Sequence, residues 1–127
     1  MTRRGRIMNI DEQVSIEIYN EIFIELLGDY EKRLKNGCFP KYQLIHEFYT
    51  KLSSEEQEKF MLFLDSLAMN IVSIILGGFD GSTKLGKFFG GFTINYEGQE
   101  ITPYLQDNFL GIYEDNFNKK SRVIIPK

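Results

Sequence analysis

From Phe60 to Leu76 the chain reads FMLFLDSLAMNIVSIIL, apolar on nearly every side of a helix. A helix that is hydrophobic all round is stable only when it is surrounded, so this stretch predicts a central buried helix with a domain built about it. Ser53 and Glu56 form a capping-box pair that starts the helix near Ser54. Gly77-Gly78 predicts its end after Leu76. A bilayer span is the poorer reading, because the apolar run is shorter than the ~20 residues a crossing needs and contains Asp65, Ser66, Asn70 and Ser73. Asp65 must either face water or find a partner, since burying a lone carboxylate is costly, and the exposed side of the helix is the simpler reading.

The remaining elements follow from periodicity and punctuation. Asn9 and Glu12 make a second capping pattern, opening a helix in which Val14, Ile18, Ile22, Leu26 and Tyr30 recur every four residues. Tyr19, Phe23, Leu27 and Leu34 widen that stripe, and Asn36-Gly37 stops it. Pro40 suits the first turn of another helix whose apolar face is Leu44, Ile45, Phe48, Tyr49 and Leu52. Beyond the Asp80-Gly81 turn, Phe88-Phe89 and 92–96 are β-like, Glu97-Gly98 turns the chain, and 99–102 pairs back. Thr102-Pro103 is read as the opening of a last helix that buries Leu105, Phe109, Ile112, Tyr113 and Phe117. Gly111 weakens that helix by roughly 1 kcal/mol relative to Ala. Val123-Ile124-Ile125 reads as an edge strand or a loose tail. The fold class is α+β, mostly α: about four helices with one small antiparallel β-hairpin. The organisation is a disordered basic arm over 1–8, one globular domain over 9–118, and a basic tail over 119–127.

Charge separates these parts. Arg3, Arg4 and Arg6 stand at one end and Lys119, Lys120, Arg122 and Lys127 at the other. The 7–118 body carries 8 basic against 18 acidic groups, net −10. Such a body repels nucleic-acid phosphate and steers toward a basic partner. The single cysteine, Cys38, makes no internal disulfide. The basic opening is not followed by the apolar run of an export signal, so the expected compartment is the cytoplasm.

Catalytic patterns are weak. Residues 81–87, GSTKLGK, match the first seven positions of a phosphate-binding loop, but Phe88 replaces the hydroxyl residue, and a helix rather than a strand precedes. His46 and Cys38 are the only residues of their kinds and lack a nucleophile context. No Glu stands three residues before His46, as a carboxylate–histidine metal site on facing helices requires. No metal, cofactor or catalytic residue is therefore expected. Glu17, Glu21 and Glu25 line one side of the first helix, opposite its apolar stripe, and are candidates for a partner surface. Asp80 and Phe89 join them, because one of the adjacent Phe88 and Phe89 must point outward from a strand, beside Gly90-Gly91.

A helical first half, then Phe79-Asp80-Gly81-Ser82, a hairpin and the run from Ile101 to Phe109, ITPYLQDNF, together resemble small bacterial immunity proteins of polymorphic-toxin and contact-dependent inhibition systems. The resemblance covers about residues 60–117. It implies a protein that binds one cognate toxin domain, often a basic nuclease, and blocks it stoichiometrically. It implies no particular binding residues. Two other readings stand beside it. One is a small ligand-binding or enzymatic domain with a pocket near the Asp80-Gly81 turn, using Asp80, Ser82 and Lys84. The other is a homodimer joined through the aromatic hairpin.

Overall fold

The computed structural model describes residues 8–37 and 43–124, with 120–124 in backbone only. Residues 1–7 of the expected 1–8 arm, Cys38, Pro40 and Ile125 lie outside the described residues. The first helical rod comprises α1 (Ile10–Tyr19), a π-helical section (Asn20–Leu26) and α2 (Leu27–Asn36). It is followed by α3 (Gln43–Thr50), α4 (Ser54–Asp80), β1 (Asn95–Tyr96), β2 (Gln99–Glu100) and α5 (Leu105–Ile124). The described residues thus form four helical rods and one small antiparallel sheet, an α+β fold that is mostly α.

Local chemistry sets most of the ends. Both capping boxes are made: the backbone N–H of Asn9 donates to Glu12 Oε1 at 3.0 Å, and that of Ser53 to Glu56 Oε1 at 2.8 Å. Gly37 takes a left-handed conformation (φ +64°) and closes α2. Glu97 and Gly98, both at positive φ, turn β1 into β2.

α5 organises the core by packing against both α1 and α4. Its Leu105, Phe109 and Tyr113 are buried with Tyr19 and Phe23 of the first rod, Leu76 of α4, and Ile101. Phe23 lies 5.3 Å from Tyr113 and 5.8 Å from Phe109, centroid to centroid. Ser15 is fully buried where α1 meets α5, and its hydroxyl donates to the carbonyls of Asp11 and, at 3.4 Å, Leu105. Asn108 donates to Asp11 Oδ2 at 2.8 Å in the same seam.

Several expectations are corrected. α4 does not stop at Gly77-Gly78 but continues to Asp80, where Gly81 (φ +90°) caps it. The glycine pair serves close packing instead. A Cβ on Gly77 would stand 2.6 Å from Gln106 Nε2, and one on Gly78 would collide with the Leu85 side chain. α5 begins at Leu105, not at Pro103, because the Thr102 hydroxyl turns back to donate to the Phe92 carbonyl and accept from Ile94 N–H. Val123 and Ile124 continue α5 rather than forming a strand or tail. Of the Phe88-Phe89 segment, only Leu85 and Phe88 pair, as an isolated bridge. In the first rod, Tyr19, Phe23 and Leu34 are buried, Val14, Ile18 and Ile22 half-buried, and Leu26 and Tyr30 exposed. The π section widens the turn there, so the four-residue repeat drifts off the packed face.

The largest correction concerns α4. It is not enclosed: Phe63, Leu67, Ile71, Ile74 and Ile75 are exposed, Phe63 to 64%. Asp65 is turned inward, with 3% of its surface exposed. α3 behaves similarly, burying Tyr49 while Leu44, Ile45 and Phe48 remain exposed.

Candidate functional site

Three regions bring sequence-singled residues together. The first is the end of α4. Asp80 Oδ2 accepts the backbone N–H of Gln106 at 2.6 Å. A carboxylate from another helix thereby satisfies an otherwise unpaired donor in the first turn of α5, where the helix dipole favours negative charge. Asp80 Oδ1 is buried with no hydrogen-bond partner among the described residues. The Gln106 side chain then ties three elements: Nε2 donates to Ser73 O and Oγ at 3.0 Å each, and Oε1 accepts from Ser82 Oγ at 2.6 Å. Asp80 and Ser82 thus both engage Gln106, while Lys84 is exposed and does not join them. Phe89 is 78% exposed, in keeping with the expectation that one of the pair points outward, and Phe88 is exposed too. Neither belongs to a named strand that would impose alternation.

The second region is a cleft of about 240 Å³ between the first rod and α4. Phe23, Leu27, Met61 and Leu62 supply its apolar walls, Gly28 leaves it open, and Glu31, Glu58 and Asp65 contribute carboxylates. The Tyr113 hydroxyl donates to the Asp65 carboxylate and accepts from Ser66. Burial, and then this hydrogen bond, push the Tyr113 hydroxyl well above the ordinary tyrosine value of 10.0. Burial and the Asp65 charge raise Tyr19 in the same direction. Tyr49 is raised by burial and by the charges of Glu31 and Glu58. Of the two readings of Asp65, facing water or finding a partner, the structure takes the second: Tyr113 bonds it and Tyr19 lies near. The sequence did single out this residue as an oddity in an apolar helix; Glu31 and Glu58 carried no signal at all.

The third region is a groove of about 420 Å³ along α1 and the π section, lined by Ile10, Val14, Ile18 and Ile22 with Gln13, Glu17 and Glu21. Glu17 and Glu21 do not lie opposite an apolar stripe; they share one face with it. That is because the helix is clamped through Ser15, Tyr19 and Phe23, which leaves the flank with Val14 and Ile18 half open. Glu25 is exposed within the π section and does not line the groove.

Elsewhere, His46 Nδ1 lies 2.6 Å from the Leu34 carbonyl and its ring packs over Gly37, so the histidine fastens α3 to the end of α2. The phosphate-loop-like segment is the connection after α4, its first glycine serving as the helix cap. Among the described residues no cluster of His, Cys, Asp or Glu has a metal-holding arrangement. α4 is long and apolar enough to cross a membrane by length and composition. Comparison with known protein families, curated proteins and solved structures finds no match to this chain.

Proposed function

We propose that this is a non-catalytic binding protein that captures a basic protein partner, acting in the cytoplasm as an immunity protein acts on its toxin domain. The observation that carries the reading is the α1 groove, where Glu17 and Glu21 border an apolar channel. An apolar trough with a carboxylate rim suits an amphipathic segment whose basic side chains flank an apolar face. The body's net −10 charge would speed encounter with such a partner. The polar groups that might have served chemistry have structural duties: Asp80 caps α5, Ser82 holds Gln106, and His46 joins α2 to α3.

The test is binding of the Glu17→Ala/Glu21→Ala variant to a basic toxin-like domain encoded beside this chain's gene. The expected result is an association rate lower by about tenfold, with a shallower salt dependence than the parent protein. The same pair, co-expressed, should show protection of cells by the parent chain and weaker protection by the variant. Unchanged association and full protection would remove the α1 groove from the reading. Absence of binding by the parent chain would remove the reading itself.

A further inference from the structure

Between Phe60 and Phe79 the only charged residue is Asp65, and it points inward. The opposite face of α4 is therefore an uncharged stripe of Phe63, Leu67, Ile71, Ile74 and Ile75, repeating at helical spacing. It is extended at both ends. Phe60 meets Phe48 of α3 at 5.7 Å, which joins the exposed Leu44, Ile45 and Phe48 to the start of the stripe. Phe79 meets Phe92 at 5.7 Å, and Phe92 meets Phe88 at 6.5 Å, which joins the aromatic connection to its finish. At the observed exposures the stripe and the α3 side chains leave on the order of 800 Å² of apolar surface in water, about one side of a standard interface. That exceeds the patch an ordinary monomer exposes.

We propose that this face is a self-association surface, on which two copies pack α4 against α4 in antiparallel, two-fold symmetric fashion. Charge selects that arrangement. The start of α4 carries Glu55 and Glu56 against a single Lys59 outside the cleft, whereas Lys84 and Lys87 are the only charges from Gly81 to Tyr96. Antiparallel pairing centred near Met69 sets the acidic start of each helix beside the basic connection of the other. It also lays the exposed α3 face over the partner copy's Phe88-Phe89 connection. Because the pairing is isologous, each favourable contact occurs twice. A lipid surface fits less well: helices that lie on membranes border their apolar face with Lys and Arg, and here acidic groups on a net-negative body would meet anionic headgroups. A basic partner gains nothing from a stripe without carboxylates, so this surface is separate from the α1 groove.

The experiment is sedimentation of the full chain across the micromolar range, read against its 14.9 kDa mass. The parent protein should sediment as a dimer. Ile71→Glu should be monomeric with an unchanged helical circular-dichroism spectrum, its dimer weakened by ~100-fold or more, since two unpaired charges would be buried at the axis. Lys84→Glu/Lys87→Glu should weaken the dimer, and adding Glu55→Lys to the same chain should strengthen it again. A monomeric parent protein would overturn the proposal, as would a dimer that survives Ile71→Glu. A monomer that dimerises only after removal of residues 1–7 would assign the stripe to the chain's own amino terminus. A monomer that co-sediments with phosphatidylcholine vesicles would assign it to lipid. Either result also overturns the proposal.

Discussion

The two faces of α4 reverse the usual order of inside and outside. The inner face buries Leu76 and Asp65, a carboxylate embedded against Tyr113 and near Tyr19; the outer face shows Phe63, Leu67, Ile71, Ile74 and Ile75 to solvent. Composition alone treats these faces as one apolar helix, yet they answer to different demands. The inner face is specified by a few interlocking contacts. The outer face is merely apolar, and is finished only when something covers it. The sharpest way to break this comparison is paired truncation. Leu76→Ala removes side-chain atoms from the packed cluster with Phe109 and Tyr113 and should cost about 2–5 kcal/mol. Ile71→Ala, at protein concentrations too low for association, should cost less than about 0.5 kcal/mol. Urea midpoints of the two variants check it, and equal losses would mean that the outer face is packed as tightly as the inner.

The next test addresses the carboxylate directly. Tyr113→Phe leaves the ring in place and removes the hydroxyl that donates to Asp65, so it should cost about 1–3 kcal/mol. It should also change the alkaline behaviour. Tyr113 has a folded-state pKa raised above its unfolded value of 10.0, so below pH 10 both states hold the proton and the contribution is fully present. As pH rises from 10 toward the folded value, the unfolded chain loses its proton first and stability declines. Tyr19 and Tyr49 act in the same sense. Urea titrations above pH 10 should therefore show a shallower decline for Tyr113→Phe than for the parent chain, and parallel declines would dissociate Tyr113 from the effect.

Which features were legible in the sequence follows from the range of the interactions that fix them. The Asn9–Glu12 and Ser53–Glu56 boxes, the Gly37 cap and the Glu97-Gly98 turn are each decided within a few residues, and each forms as expected. The fold class and the α5 positions Leu105, Phe109 and Tyr113 were readable for the same reason: a buried stripe leaves a periodic trace. Misread features depend on distant partners. Gly77-Gly78 looks like a helix stop until Gln106 and Leu85 are seen against it. Thr102 looks like a cap until Asp80, 26 residues before Gln106, takes that role. Asp65 had either to face water or to find a partner, and its partner Tyr113 lies on a distant helix. Of the candidate residues, Glu17 and Glu21 border a groove that was not legible, because the π section gives no compositional signal.

The smallest expected effect, and the one of opposite sign, concerns a glycine outside this packing. Gly78 and Gly111 both interrupt long helices, and helix propensity penalises them alike by roughly 1 kcal/mol relative to Ala. Their surroundings differ entirely. A Cβ on Gly78 would enter the Leu85 side chain, whereas one on Gly111 would meet nothing within 4 Å. Neither residue is at positive φ, so backbone strain does not separate them. Gly111→Ala should therefore recover most of the propensity term and stabilise the fold by about 0.5–1 kcal/mol. Gly78→Ala should gain the same term and lose more to displacement of Leu85, ending less stable than the parent chain. Thermal unfolding of the two variants checks the contrast. If Gly111→Ala is destabilising, the outer side of α5 is already covered, and the solvent-facing surface inferred for this bundle is smaller than the exposures imply.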